Sequence, residues 1–225
     1  MKKRPFVTLK LAQTLDGCIA TASGDSKWIT SETSRVKTHQ LRAGNDAILV
    51  GSNTVRADDP QLSVRHIEGK SPTKIVLDAR LDLATGLKIF SGAPLILVAA
   101  KGVGEDRVQE RENRGAVVWQ VDASETGRLD LSQVMEKAMS AGFDTVLIEG
   151  GSRVAASAFL AGIVDKMVVF IAPKILGAGL PSVGSMGLER IAESIQLLDV
   201  EVDQSGDDLM VTASIQKGPS SAHTP

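Results

Sequence analysis

Cysteine is nearly missing from this 225-residue chain: Cys18 is the only one. That excludes an intramolecular disulfide and any cysteine-rich metal site. Histidine is almost as scarce, with His39, His66 and His223 scattered along the sequence. A zinc-dependent nucleobase deaminase needs a His-x-Glu and a Pro-Cys-x-x-Cys, and the chain has neither. Charge of one sign is also lacking: 25 Lys and Arg stand against 27 Asp and Glu, a net charge of −2. No global field draws the protein to nucleic acid or to an anionic membrane. No run of about 18 apolar residues occurs, so no membrane-spanning helix is expected. The start, Met1-Lys-Lys-Arg-Pro-Phe6, has the charge of a signal-peptide n-region, but Lys10, Gln13 and Asp16 interrupt any apolar stretch behind it. A cytoplasmic protein is the expectation.

What the chain has is an ordinary globular composition, 43% hydrophobic and 23% charged, at a length that suits one large domain. Short apolar runs read as buried strands at 6–11, 47–50, 74–77, 94–99, 116–121, 145–148 and 166–172. Helical patterns lie between them. One starts at a cap on Thr30 or Ser31 and ends near Ala43, before Gly44; the others cover 105–113, 131–141 and 152–161. Residues 16–27 read as a polar loop, and 51–54 and 57–60 as breakers. Two alternating runs, 195–202 and 209–215, form a hairpin across Asp203-Gln-Ser-Gly-Asp207. Strands alternating with helices predict an α/β fold: a mixed, mostly parallel sheet with helices on both faces and an antiparallel hairpin at its edge. A single domain over residues 1–216 is expected, with a Gly/Pro/Ser-rich tail, 217–225, expected to be disordered.

Three segments concentrate groups suited to chemistry. In Ile148-Glu149-Gly150-Gly151-Ser152 a strand runs into a helix. Two glycines at that junction let a phosphate approach the unpaired N–H groups of the first helical turn. Glu149 reads either as a solvated strand end or as an acceptor for ligand hydroxyl and N–H groups. In Ser23-Gly-Asp-Ser-Lys-Trp28, Trp28 reads as a core anchor or as a flat wall for a ring. Ser26 offers a hydroxyl. Residues 51–65 gather Thr54, Arg56, Asp58, Asp59 and Arg65 behind a buried strand. Arginine forks onto phosphate, but Arg–Asp clusters serve equally as structural ion pairs.

Taken in order, these segments resemble the reductase domain of the bifunctional riboflavin biosynthesis enzymes, which join a zinc pyrimidine deaminase to a reductase. The resemblance covers about residues 4–215. It rests on Arg4-Pro-Phe-Val-Thr-Leu-Lys-Leu11, Leu15-Asp-Gly17, Gly24-Asp-Ser-Lys-Trp-Ile-Thr-Ser31, Leu41-Arg-Ala43, Thr54-Val-Arg-Ala-Asp-Asp-Pro60, Glu149-Gly-Gly151 and Ile171-Ala-Pro-Lys-Ile-Leu-Gly177. The resemblance implies a dihydrofolate-reductase-like fold, a homodimer, and hydride transfer from NADPH to C1′ of the ribose in 5-amino-6-(5-phosphoribosylamino)uracil. Carried over by position, Ser26, Arg42, Leu62, Arg65 and Glu149 would hold this phosphorylated small-molecule substrate. Arg42 and Arg65 would meet its phosphate. Ala12, Trp28, Thr54, Asp58 and the segment Gly151, Ser152, Arg153, Val154, Ala155, Ala156 and Ser157 would hold the cofactor. Lys10 is added as a catalytic candidate beside Glu149, able to polarise or protonate near the ribose if its pKa is lowered.

The chain departs from the pattern in two ways. The deaminase half is absent, so only the reduction is expected. Where the family often has Asp-Ser, this chain has Asp78-Ala79-Arg80. If that serine recognises the 2′-phosphate, its replacement leaves NADPH versus NADH open at this point, with Arg80 able to compensate. Two other readings stand beside the reductase: a reductase of a related pterin or folate, and a non-catalytic nucleotide-binding subunit. Arg42 and Arg65 together favour a phosphorylated substrate over a pterin, and Lys10, Asp58 and Glu149 favour an enzyme over a binding subunit.

Overall fold

The computed structural model describes residues 3–216. The expectation for the tail 217–225 therefore falls outside the described residues, as do Met1 and Lys2 of the basic start. In chain order the elements are β1 (Phe6–Thr14), β2 (Cys18–Thr21), α1 (Glu32–Ala43), β3 (Ala47–Gly51), α2 (Ser52–Asp58), β4 (Thr73–Leu77), β5 (Leu95–Ala100), α3 (Glu105–Glu112), β6 (Val117–Val121), α4 (Leu131–Ser140), β7 (Thr145–Gly150), α5 (Ser152–Leu160), β8 (Lys166–Ala172), β9 (Gly179–Pro181), β10 (Leu197–Ser205) and β11 (Asp208–Ile215). Nine of the strands form one sheet in the order β10-β11-β8-β1-β7-β3-β4-β5-β6. From β8 to β6 every neighbour is parallel, and β11 and β10 close the other edge in antiparallel pairing.

The central strands are apolar on both faces because both faces are covered. On β3, Ala47 and Leu49 join one core with Val7, Leu9 and Ile148, against Leu131, Val134 and Met135 of α4 and Ala155 of α5. Ile48 and Val50 join the other core with Val76, Leu97 and Leu147, against Val55 of α2 and the partly buried Leu41 of α1 and Val108 of α3. Among the described residues, no helix is long and apolar enough to cross a membrane.

Three elements, α2, β2 and β9, are absent from the sequence reading. Residues 52–58, which overlap the breakers read at 51–54 and 57–60, form α2, because Gly51 ends β3 in extended geometry and Asp59 closes the helix in the left-handed region. The loop read at 16–27 contains β2, paired antiparallel with β9. That pairing requires glycine at position 179, where a Cβ would lie 2.3 Å from the Ala20 carbonyl oxygen.

The hairpin also fixes the start of α1. The buried Asp208 carboxylate accepts from Ser31 N (2.8 Å), Ser31 Oγ (2.8 Å) and Ser34 Oγ (2.5 Å). Ser31 is the N-cap of α1, its side chain accepting from Ser34 N. Sheet edge and helix start are thus one hydrogen-bonded unit, and this unit aims the far end of α1, where Arg42 lies.

Candidate active site

Glu149 owes its position to an irregularity. On the β1 side the ladder pairs Leu9 with Ile148, and one step further sets Lys10 beside Glu149. On the β3 side Leu49 pairs with Ile148 but Val50 pairs with Gly150. Glu149 is therefore an extra residue on β7, a bulge that re-aims its carboxylate toward α1. Gly150 follows at φ +107°, a conformation that L side chains rarely adopt.

Arg42, in the last turn of α1, meets this carboxylate with a two-pronged fork. Its Nε donates to Oε1 at 2.6 Å and its Nη2 to Oε2 at 2.8 Å. Nη1 donates to the Ser63 carbonyl at 3.1 Å. The two side chains are only 12% and 8% exposed. Burial alone would raise the Glu149 pKa. The Arg42 charge and its hydrogen bonds, with smaller help from Lys10 and His39, outweigh that and hold it below the usual carboxylate value. Burial lowers the Arg42 pKa, but Glu149 more than restores it. Lys10 behaves differently: burial lowers its pKa, and Glu149 only partly opposes this while Arg42 reinforces it. The result is a fixed carboxylate–guanidinium pair beside an amine biased toward giving up its proton.

His39, one helical turn before Arg42, is a site residue that the sequence reading passed over. It is buried, and its Nδ1 accepts from the Arg65 backbone N–H at 3.1 Å. Its ring packs edge-on to His66 with centroids 5.3 Å apart. Burial, Arg42, Arg65 and His66 lower its pKa to about 4, with Glu149 opposing, so it is a neutral acceptor at ordinary pH. The i, i+3 spacing of His39 and Arg42 puts both on one face of α1. Together they grip the segment 63–65 by its backbone, and that spacing is the signal that could have found His39.

The other expected residues fall into groups. Arg65 is exposed, with Nη1 on Gln61 Oε1 at 2.5 Å. It keeps more of its fork open than Arg42, whose fork is engaged by Glu149 and Ser63. Leu62 is packed in the core at φ +52°, so only its backbone is available to a ligand. Ser26 Oγ donates to Asp58 Oδ1 at 3.2 Å, joining an expected substrate residue to an expected cofactor residue. Trp28 is 65% exposed and is not a core anchor. Its ring lies under the Arg35 guanidinium at 4.5 Å, and its carbonyl accepts from Lys174 Nζ at 2.8 Å. Ala12 lies on the same face of β1 as Lys10, two residues on.

Gly151 and Thr54 touch: a Cβ at Gly151 would come within 2.9 Å of Thr54 Oγ1. α2 and α5 thus begin side by side on Gly51 and Gly151, and no side chain caps either start among the described residues. Ser152, Ala155 and Ala156 are buried, Val154 and Ser157 are half-buried and Arg153 is exposed. Other motif residues are structural. Arg56 pairs with Asp82 and Asp78, Lys88 with Asp59, and Arg4 forks onto Asp165. Asp16 accepts from the backbone N–H groups of Leu176 and Gly177.

The sheet order and the placing of the helices define an α/β protein of dihydrofolate-reductase-like fold. Dihydrofolate reductase from Enterococcus faecalis shares that fold with a TM-score of 0.54 at 13% identity, covering 94% of this chain and 97% of that one. Residues 5–211 match the family model described as the RibD C-terminal domain, and the chain belongs to that family.

The chloroplastic riboflavin biosynthesis protein PYRR of Arabidopsis thaliana is 38% identical over 96% of this chain, which spans 36% of that protein. The RibD of Aquifex aeolicus is likewise 38% identical, and the chain spans 58% of it. The chain thus spans about a third to three-fifths of the curated relatives it first matches. The 2,5-diamino-6-ribosylamino-4(3H)-pyrimidinone 5′-phosphate reductase of Methanothermobacter thermautotrophicus is 34% identical over 95% of this chain and 99% of that protein. The solved structure of Acinetobacter baumannii RibD superposes with a TM-score of 0.83 at 27% identity, covering 96% of this chain and 59% of that one.

Arg42→Met is expected to lower unfolding free energy by about 3–5 kcal/mol, because it strands a buried carboxylate, and adding Glu149→Leu should restore most of the loss; urea denaturation reads both. His39 has a folded pKa of about 4 against an ordinary 6.5. The unfolded chain therefore takes up the proton first as pH falls, and this contribution is complete above pH 6.5 and declines below it. Denaturation midpoints measured from pH 6.5 down to 5 should fall in the wild type. They should fall less in His39→Asn, whose Oδ1 can accept the same Arg65 N–H.

Proposed function

We propose that the protein reduces 5-amino-6-(5-phosphoribosylamino)uracil to its ribitylamino product in riboflavin biosynthesis, with NADPH as hydride donor. The observation that carries this reading is the half-buried Lys10–Glu149–Arg42 group next to the Gly150-Gly151 turn, in a chain that covers nearly the whole of the Methanothermobacter thermautotrophicus reductase. The cofactor's fit is supported by the start of α5, which lies beside that of α2. Gly51 is buried beside Val154, but Gly151 is half-buried and no side chain caps the first N–H groups of α5, an arrangement suited to a pyrophosphate. Thr54, Asp58, Trp28, Ala12 and the Gly151–Ser157 segment would hold the dinucleotide.

A bound nicotinamide supplies the hydride that arrives at C1′. The chain's own residues handle position and protons. Arg65 offers a guanidinium for the 5′-phosphate. Glu149, held by Arg42, accepts hydrogen bonds from the sugar or the pyrimidine. Lys10 donates a proton to the ring oxygen as the C1′–O bond breaks and the glycosylamine opens to an imine. The opened imine keeps its N–H and is protonated, so a hydride added at C1′ would give the neutral ribitylamine with no further proton. An amine already biased toward releasing its proton suits that role.

The same reading makes the protein a cytoplasmic homodimer. Support for the dimer is the edge strand β10, where Leu197, Leu198, Val200 and Val202 are all exposed, an edge that proteins ordinarily cover.

NADPH oxidation should depend on the phosphoribosylaminouracil and not on dihydrofolate. Turnover on dihydrofolate alone would favour a pterin reductase, and tight NADPH binding with no turnover would favour a binding subunit. The 2,5-diamino-6-ribosylamino-4(3H)-pyrimidinone 5′-phosphate, for which the Methanothermobacter relative is named, belongs in the same assay. Lys10→Met should lower kcat by about 10²- to 10⁴-fold with little change in NADPH affinity. Light scattering should give twice the chain mass, and Val200→Lys with Val202→Lys should halve it.

A further inference from the structure

Two basic side chains outside the ionic group hold the loop that carries Trp28. Lys174 Nζ donates to the Trp28 carbonyl at 2.8 Å and to the Ile29 carbonyl at 2.7 Å, and Arg35 Nη1 donates to the Thr30 carbonyl at 2.9 Å. Among the described residues, 28–30 make no other hydrogen bond. The Arg35 guanidinium also lies over the Trp28 ring, 4.5 Å from its centroid, a cation–π contact. The ring is otherwise left to solvent, 65% exposed. A large aromatic held by its backbone and from one face, with the rest uncovered, is presented rather than packed.

Each holder is fixed in turn. Arg35 is in the first turns of α1, whose start the Asp208 network binds. Lys174 follows β8, and its loop is tied to the end of β1. Leu15 N donates to the Lys174 carbonyl at 2.9 Å, and Asp16 accepts from Leu176 N at 3.1 Å and from Gly177 N at 2.7 Å. Ser26 ties the same loop to Asp58 of α2. Trp28 is thus held between α1, the carboxyl ends of β1 and β8, and α2. Arg35, His39 and Arg42 stand four and three residues apart, on one face of α1. About 10 Å of helix separates Arg35 from Arg42. The indole therefore stands toward Glu149 and Lys10, where the nicotinamide half of a dinucleotide would meet it.

We propose that Lys174 and Arg35 are positioning residues that set the Trp28 indole as one wall of the reaction site, against which the nicotinamide ring rests. The proposal rests on the nicotinamide reading above and adds what holds the wall. A loop whose carbonyls are held by two side chains relaxes when one is removed, and a shift of about 1 Å in a reacting group costs on the order of 10²-fold in rate.

Trp28 and Trp119 are the only tryptophans in the chain. Trp119 lies on β6, five strand spacings or about 24 Å from β1, so Trp119→Phe leaves an emission that reports Trp28 alone. On that background, excitation of Trp28 should transfer energy to bound NADPH, a readout that needs no change at either positioning residue and no turnover. Without ligand, Trp28 emission anisotropy should fall in Lys174→Met and in Arg35→Met, and Lys174→Arg, which keeps two donors, should restore it. Lys174→Met should also weaken the energy transfer and lower kcat by about 10- to 100-fold, with the KM of the phosphorylated substrate little changed. Lys174 is exposed, so a merely structural role would move the unfolding midpoint and none of these. NADPH bound by calorimetry without energy transfer from Trp28, or anisotropy and kcat unchanged in Lys174→Met, would each overturn the positioning role and leave a nicotinamide-dependent reductase standing. Binding of neither NADPH nor NADH would overturn the nicotinamide reading itself.

Discussion

The two-pronged contact between Arg42 and Glu149 is the constraint on which the site depends. A carboxylate at the end of a buried strand is costly to desolvate unless a matched cation meets it. Here the match comes from the far end of a helix whose start is bound to the opposite edge of the sheet through Asp208, Ser31 and Ser34. The β7 bulge turns Glu149 toward that helix, and the Asp208 network turns the helix toward Glu149. Lys10 and His39 inherit their lowered pKa values from the resulting enclosure. A buried ion pair of this kind is weak evidence for added stability. Its value is in fixing charge and direction at one spot.

The carboxyl edge of the parallel strands organises everything else. Open α/β sheets bind ligands at this edge because the strands end there and the following helices present their amino ends. The chain divides the edge into zones. Around β1 and β7 the groups are ionic and suited to proton handling. Between β7 and β3 glycines start two adjacent helices, Gly51 buried and Gly151 half-buried. Beyond β4 the edge is basic, with Arg80, Lys101 and Arg107 around one cavity. The binding site of an extended dinucleotide next to a phosphorylated sugar would be arranged in that order.

Much of the fold was legible in the sequence because the physics that forms it is local. The uninterrupted apolar runs at 47–50, 145–148 and 166–172 could only be strands covered on both faces. Ser31 and Gly44 marked both ends of α1. The α2 helix was missed because seven residues with a glycine start and an Asp-Asp-Pro end carry too little periodicity to outweigh their breakers. Strand β2 was missed because its pairing depends on Gly179, more than 150 residues away. Within the site, Arg42 comes from the family pattern, Glu149 from its motif and that pattern together, and Lys10 is an added candidate, but their mutual contact was not legible. It depends on a one-residue bulge that no spacing rule reveals. Nor could the sequence show that Arg42 is engaged by Glu149, that Leu62 is turned into the core, or that Lys174 and Arg35 hold the loop of Trp28.

The central claim is that this edge brings a reducing cofactor and a phosphorylated ribose together at Lys10 and Glu149. A crystal structure of the protein soaked with NADPH and ribose 5-phosphate tests it most directly. The pyrophosphate is expected on the backbone at Gly151, the start of α5. The sugar phosphate is expected on Arg65, and C1′ between the nicotinamide ring and the Lys10 amine. A sugar bound elsewhere, or a dinucleotide that leaves the Gly150-Gly151 turn untouched, would contradict it.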